Sequence, residues 1–353
     1  MTSERPLLLT HAMFQVPLHP DYHPLRIHRA GPFIRILETL DWVTDDERRL
    51  IEPITRPTQE RFHTPDYLDA LEAAARGEAD AAHIKSRYHL GTRDNPIMPT
   101  MADRARLLAG GSSMAATLSL DHGTVFSPAG GAHHGMRDRA NGFCYTNDIV
   151  FAILTYFDHG LLRIAYVDLD AHHCDGVEEA FFGDDRVLMI SVHERGRWPN
   201  SGKEDRANAI NRPVPKGFND EDLWHLFESD LLPRLRQFQP EALVILSGAD
   251  AIAGDPLMGL NLSNLGLIQM IQSLLRLAPH RIILGGGGYN PWTTVRYWTL
   301  LWAALTHRPQ PSTLPAEVTD ILAALDCARI KPEAVNPTWL SHLADAPATV
   351  IAS

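Results

Sequence analysis

The run Asp168-Leu169-Asp170-Ala171-His172-His173-Cys174-Asp175-Gly176 sets three carboxylates and two imidazoles within eight residues. It follows the apolar stretch RIAYV, which reads as a buried strand, so these groups sit at a strand's carboxyl end. Alternate residues of an extended chain face one side. Asp168, Asp170 and His172 therefore share a face, and Asp170 with His172 has the spacing for two ligands on one metal. Three more strand-like stretches end in residues of the same kind. TVFS leads to His133 and His134 in PAGGAHHG, ALVILS leads to Asp250 and Asp255 in GADAIAGDP, and RIILGG leads through a glycine run to Tyr289. The glycines lack the G-x-G-x-x-G spacing and no Gly-Lys-Ser/Thr appears, so they read as a flexible turn presenting Tyr289 rather than a phosphate cradle. The set suits metal-assisted hydrolysis. Asp170, His172 and Asp255 would hold Zn²⁺ with a position open to water, the tandem His133 and His134 would move protons, and the Tyr289 hydroxyl would hydrogen-bond the oxyanion.

Such residues need a scaffold that gathers strand ends. In open α/β sheets, ligands collect beyond the carboxyl ends of the strands. Strands are expected at 124–127, 163–169, 186–192, 242–247 and 281–286, each apolar without strict alternation, as in a parallel sheet covered on both faces. Helical patterns at 147–156, 220–238 and 264–277 lie between them, so the fold class is α/β, doubly wound, in one domain. The first hundred residues carry helices at 29–40 and 66–76 and a turn-rich loop, HLGTRDNPIMP, that is a candidate rim. Past Pro309 a connector precedes a helix at 315–328 and a polar tail expected to fray. The domain is therefore drawn at 1–309, with 310–353 as a helical extension packed on it.

Composition removes other classes. The 353 residues are 44% apolar and 21% charged, with a formal charge of -11 and no basic run, which argues against nucleic-acid binding. No apolar run is long enough for a membrane helix. Three cysteines without paired spacing argue against a disulfide framework or a zinc finger. The N-terminus lacks a small-residue cleavage site, so the expected compartment is the cytoplasm. Oligomeric state is left open.

The stretches PAGGAHHGMRDRANGFCYTND, VDLDAHHCDGVEEAFF, SGADAIAGDP and LGGGGYN, with the weaker HPLRIHR and LGTRDNP, occur in the order of the zinc-dependent histone deacetylase family, including its bacterial acetoin-utilisation members. The chain resembles that family up to about residue 305. The resemblance implies the arginase-deacetylase fold, a mainly parallel sheet of about eight strands with helices on both faces. It implies removal of acetyl or another short acyl group from a lysine side chain, with one Zn²⁺ per chain, Fe²⁺ being an alternative in the cell, on Asp170, His172 and Asp255. It makes His134 the general base and acid and His133 mainly electrostatic, with Asp175 and Asp168 as their respective partners, and Tyr289 the carbonyl-polarising phenol. Gly142, Phe143, Trp198 and Leu262 would wall a tunnel for the acyl-lysine side chain, Asp94 would grip substrate backbone at the rim, and Arg29 would lie in an inner cavity where acetate leaves. A K⁺ ion is implied near the backbone of Asp168, Asp170 and His172, with Ser191. The chain departs from the family at Cys174, where Gly is usual, and at Trp198, commonly Phe. Cys174 also stands where arginase-like relatives carry a second metal's acid, so a single-metal site follows. The runner-up is an acetylpolyamine amidohydrolase. Polyamine-selective relatives tend to carry an acidic gatekeeper where this chain has Leu262, which favours acyl-lysine. A non-catalytic acyl-lysine binding protein is disfavoured because every proposed ligand and proton-transfer residue is present.

Overall fold

In the computed structural model, which describes residues 5–311 and 313–345, the strands are Leu7–Thr10 (β1), Arg48–Leu50 (β2), Thr124–Ser127 (β3), Ile164–Asp168 (β4), Val187–Glu194 (β5), Ala209–Val214 (β6), Ala242–Leu246 (β7) and His280–Leu284 (β8). All pair in parallel in one sheet of order β2-β1-β3-β8-β7-β4-β5-β6. The tail beyond residue 345 lies outside the described residues. Successive side chains of a strand point to opposite faces. In β4, Ala165 and Val167 join one apolar cluster while Ile164 and Tyr166 join the other, and β7 and β8 divide in the same way. Both faces are therefore covered, by Ala30–Thr39, Asn264–Leu274 and Pro291–Leu305 on one side and Met101–His122 and Asp148–Asp158 on the other. This double burial is why the strands show no polar alternation.

The five expected strands form with their ends shifted by at most two residues, and three more form that the sequence did not announce. Two of those, β2 and β6, are the sheet edges. Edge strands tolerate Arg and Pro because one side of the backbone is unpaired: RRL carries two Arg, and AINRPV carries Arg212 and Pro213. The helices at 147–156 and 264–277 start where their caps predict, with Asn147 accepting from Val150 N and Ser263 from Gly266 N. The expected 220–238 helix is interrupted: Phe227–Leu231 widens to π geometry just before Pro233, whose ring and missing N–H disturb a regular α register. The helix expected at 315–328 is shorter, Ala316–Ala323. Among the described residues no helix is long and apolar enough to cross a membrane.

Register aligns the functional ends. Ser127 pairs with Leu284, Leu284 with Leu246, Leu246 with Asp168, and Asp168 with Ser191. The loops leaving β3, β8, β7 and β4 thus emerge side by side at one edge.

Candidate active site

The loop after β3 turns back through Gly131 (φ +110°), a backbone state that L side chains rarely adopt, beside Gly286. Asp148, fully buried, fastens it by accepting from Gly131 N (2.9 Å), Ala132 N (2.6 Å) and Ser112 Oγ (2.5 Å). The Asn147 amide donates to the Gly135 carbonyl at 3.0 Å. The sequence shows Asn147 and Asp148 only as the start of a helical pattern, with no sign of this clamp.

His133 and His134 are thereby set with ring centroids 3.9 Å apart, each on its own carboxylate. His133 Nδ1 meets Asp168 Oδ2 at 2.7 Å, and His134 Nδ1 meets Asp175 Oδ1 at 2.6 Å. Asp168 also accepts from the Tyr166 hydroxyl and from Asp170 N, and Asp175 accepts from Asn141 Nδ2. The two imidazoles differ in basicity. Burial works against protonating His133, but Asp168 and Asp170 outweigh it and push it up to about 9. Burial and the neighbouring His133 hold His134 down at about 3. The surroundings thus favour the cation at His133 and the neutral ring at His134.

Beside the pair, Asp170, His172 and Asp250 offer ligand atoms within 4.8 Å of one another. His172 Nδ1 is 3.0 Å from both Asp170 Oδ1 and Asp250 Oδ2. Asp250 Oδ1 accepts from Ala171 N, while its buried Oδ2 faces the His172 ring without a well-directed hydrogen bond. Buried acids crowded around one imidazole fit a divalent cation. Sequence reading named Asp255 as the third ligand and Asp250 only as an extra acid. Asp255 is not in this trio: its Oδ2 accepts from Tyr289 N (2.7 Å) and its Oδ1 from Leu257 N (2.9 Å). Burial, then the charge of Asp250, raises Asp255 to about 7, and burial with Asp170 raises Asp250 to about 6. A cation would relieve that repulsion.

Phe143 and Trp198 flank the approach. The Phe143 ring is edge-on to Tyr289 (6.0 Å), and Trp198, 41% exposed, is edge-on to His134 (4.5 Å) and His172 (6.3 Å). A Cβ on Gly142 would run into the Trp198 ring. Tyr289 is buried, which raises its phenol well above the usual value and keeps it a proton donor. Asp94 is exposed, and its carbonyl is 3.1 Å from His23 Nε2, whose ring packs on Phe143 at 4.5 Å. Arg29 donates to the carbonyls of Gly286 (3.0 Å) and Gly288 (3.4 Å) and lies over Trp298. It lines a cavity of about 130 Å³ that also takes in His133, His134, Asp170 and Tyr289 and reaches Gly142 and Phe143 on the approach side. Leu262 does not reach this lining. It is 3% exposed, packed in the core, with its backbone bonded to Ala251 and Ala253. Ser191 lies next to Asp168 in the sheet and its hydroxyl meets His193 Nδ1 at 2.9 Å. Cys174 is buried in an apolar cluster and, like Cys144 and Cys327, is free.

The histone deacetylase domain family matches residues 23–305. Histone deacetylase 6 of Arabidopsis thaliana is 35% identical over 309 residues, 81% of this chain and 64% of its own length. Histone deacetylase 8 of Xenopus tropicalis is 35% identical over 76% of each chain. Among solved structures, an HDAC homolog from Aquifex aeolicus superposes with a TM-score of 0.91 at 31% identity, covering 97% of this chain and 95% of that one. An HDAC homolog complexed with SAHA gives 0.92 at 31% identity, covering 98% and 95%.

Proposed function

The chain belongs to the histone deacetylase family, and on that premise we propose that it hydrolyses the amide of an acyl-lysine side chain to free lysine and a short carboxylate. One observation carries this reading. Two imidazoles, each fixed by its own carboxylate, stand beside a buried acid cluster and under a protonated phenol. We assign Asp170, His172 and Asp255 to one Zn²⁺, with Asp250 as a further buried acid behind them. Bound zinc would supply Lewis acidity and acidify water.

The remaining chemistry is assigned to side chains. His134, neutral and oriented by Asp175, takes the proton of the attacking water and returns it to the departing amine. His133, paired with Asp168, stabilises negative charge without moving a proton. Tyr289 donates its hydroxyl to the developing oxyanion. Phe143 and Trp198 flank the lysine methylenes at Gly142, and Asp94 accepts from substrate backbone at the rim. The HDAC homolog complexed with SAHA, which this chain matches over nearly its whole length, supports a ligand site of the same kind here. We read residues 1–309 as the catalytic unit, 310–353 as its extension, and the cytoplasm as its compartment. The free buried cysteines agree with a reducing environment.

A kinetic panel tests the reading. Acetyl-lysine peptides should be hydrolysed with zinc present and not after chelation. Acetylated polyamines turned over with higher kcat/KM would move the assignment to a polyamine amidohydrolase. No turnover of either by the zinc-loaded protein would end it.

A further inference from the structure

The cavity beside the imidazoles carries a second guanidinium that the chemistry above does not use. Arg104 lies in the first turn of Met101–His122, and it lines the cavity together with Arg29, Met98 and Met101. Its hydrogen-bond partner is the carbonyl of Met13 (2.6 Å), and its guanidinium lies 4.9 Å from the Phe14 ring centroid. Arg29 likewise bonds only carbonyls. Neither has a carboxylate within ion-pair distance among the described residues. The acids that act on Arg29 through space are Tyr289 and the metal-site carboxylates Asp250, Asp170 and Asp255, whose charge a bound dication would neutralise. Burial and the charge of Arg29 bring Arg104 down to about 10, and the same two arginines, with burial and His23, keep His19 neutral beside them. The start of a 22-residue helix, with no side-chain cap, adds positive potential at the same wall. Two half-buried guanidinium groups facing one cavity without a paired carboxylate favour an anion between them.

We propose that the inner cavity holds the distal carboxylate of a dicarboxylic acyl group, so that lysine bearing a succinyl- or glutaryl-type group is a substrate class of this protein. The inference rests on the deacylase reading above. An acyl carbon held at Tyr289 and His134 points its chain into the cavity, past the methionine side chains, toward Arg29 and Arg104. The volume of about 130 Å³, roughly four waters at about 30 Å³ each, runs from Phe143 and Tyr289 inward to Arg29 and Arg104, so it has to take the reacting acyl carbon together with a short carboxylated chain. An acetyl methyl would leave both guanidinium groups unpaired, whereas a terminal carboxylate accepts from them in charge-assisted hydrogen bonds. The reaction is ordinary hydrolysis. Water oxygen bonds the acyl carbon, the C–N bond breaks, and the amide nitrogen leaves as the lysine ammonium, giving a free dicarboxylate.

The zinc-loaded protein should be assayed on one peptide carrying acetyl-, butyryl-, succinyl- or glutaryl-lysine, and titrated calorimetrically with succinate, glutarate, acetate and butyrate. Carboxylated acyls should be hydrolysed with kcat/KM at or above that of butyryl, and the dicarboxylates should bind at least about tenfold tighter than the monocarboxylates. Replacing Arg104→Met should lower the glutaryl-to-butyryl kcat/KM ratio by about 10- to 100-fold, the range for a charged hydrogen bond, and Arg104→Lys should lower it less. Hydrolysis of acetyl and butyryl with carboxylated acyls more than tenfold slower in the unmodified protein would overturn the proposal and leave the deacylase standing. An unchanged ratio in both variants would overturn the role of Arg104. No hydrolysis of any acyl-lysine would defeat the deacylase reading instead, and the substrate class with it.

Discussion

Asp250 and Asp255 share one loop but see different surroundings. Asp250 is fully buried, with one oxygen on Ala171 N and the other 3.0 Å from His172 Nδ1, whereas Asp255 receives the backbone N–H of Tyr289 and so lies on the reacting side. Asp255→Ala should therefore abolish stoichiometric zinc, read by elemental analysis after gel filtration. Asp250→Asn should retain zinc with affinity weakened about 10- to 100-fold, the usual cost of a supporting partner. The opposite pattern would exchange their roles. Tyr289→Phe removes only the hydroxyl that burial keeps protonated, so kcat should fall by about 10² to 10³ with zinc content intact; an unchanged kcat would make Tyr289 a wall. His134→Ala should cost about 10² to 10⁴ in turnover and His133→Ala less, and a larger loss at His133 would reverse the assignment. Most of these residues were legible because they end apolar strands. Asp250 was legible as an additional acid of the same loop, but spacing cannot show that it packs against Asp170 and His172. Arg104 gave no signal, because nothing in its local sequence marks a helical arginine that faces inward.

The loop carrying the imidazoles is braced from outside the sheet by His63, whose ring links three parts of it. His63 Nε2 faces Thr146 Oγ1 (3.0 Å) and accepts from Asn147 N (3.3 Å), while its Nδ1 faces the Arg137 carbonyl (3.3 Å). That pattern needs the neutral ring, and burial holds His63 down at about 4. In the unfolded chain it titrates near 6.5. Protonation thus favours the unfolded state as pH falls: the contribution of His63 is complete above about 6.5 and is lost progressively toward 4, about 3 kcal/mol in all. Urea midpoints measured from pH 7.5 to 4.5 should fall, and His63→Gln should flatten that slope; an equal slope in the variant would place the acid sensitivity elsewhere. The elements themselves were legible to the degree that one face was polar. Met101–His122 escaped notice because Gly110 and Gly111 break its pattern, yet a Cβ at Gly110 would collide with the Glu52 carbonyl, so the glycines serve close packing. Pro291–Leu305 escaped because nearly every residue in it is buried, which erases the periodicity that marks a surface helix.

Residues 313–345 pack into the core rather than trail from it. Val318, Ile321, Leu322, Leu325 and Leu343 are all buried in the cluster that covers one face of the sheet. The Leu322 carbonyl accepts from Trp292 Nε1 (3.0 Å), Asp345 pairs with the buried Arg296 (2.9 Å), and the Asn264 side-chain amide donates to the Leu343 carbonyl (2.8 Å). The contact reaches the site: Cys327 Sγ lies 3.6 Å from the Tyr289 carbonyl, and the Trp339 ring stacks on Trp292 and crowds Gly254, next to Asp255. Five buried aliphatic side chains at about 1.5–3 kcal/mol each come to the order of 10 kcal/mol, as large as the whole stability of an ordinary domain. A chain ending at Pro309 should therefore show no cooperative thermal transition by circular dichroism. Asp345→Ala, which strands the Arg296 charge, should keep the fold but lower stability by about 3 kcal/mol in urea. A truncated chain that melted at the full-length temperature would show that the segment merely covers a surface. Loss of the transition would instead make it part of the structure that holds Asp255 and Tyr289 in place.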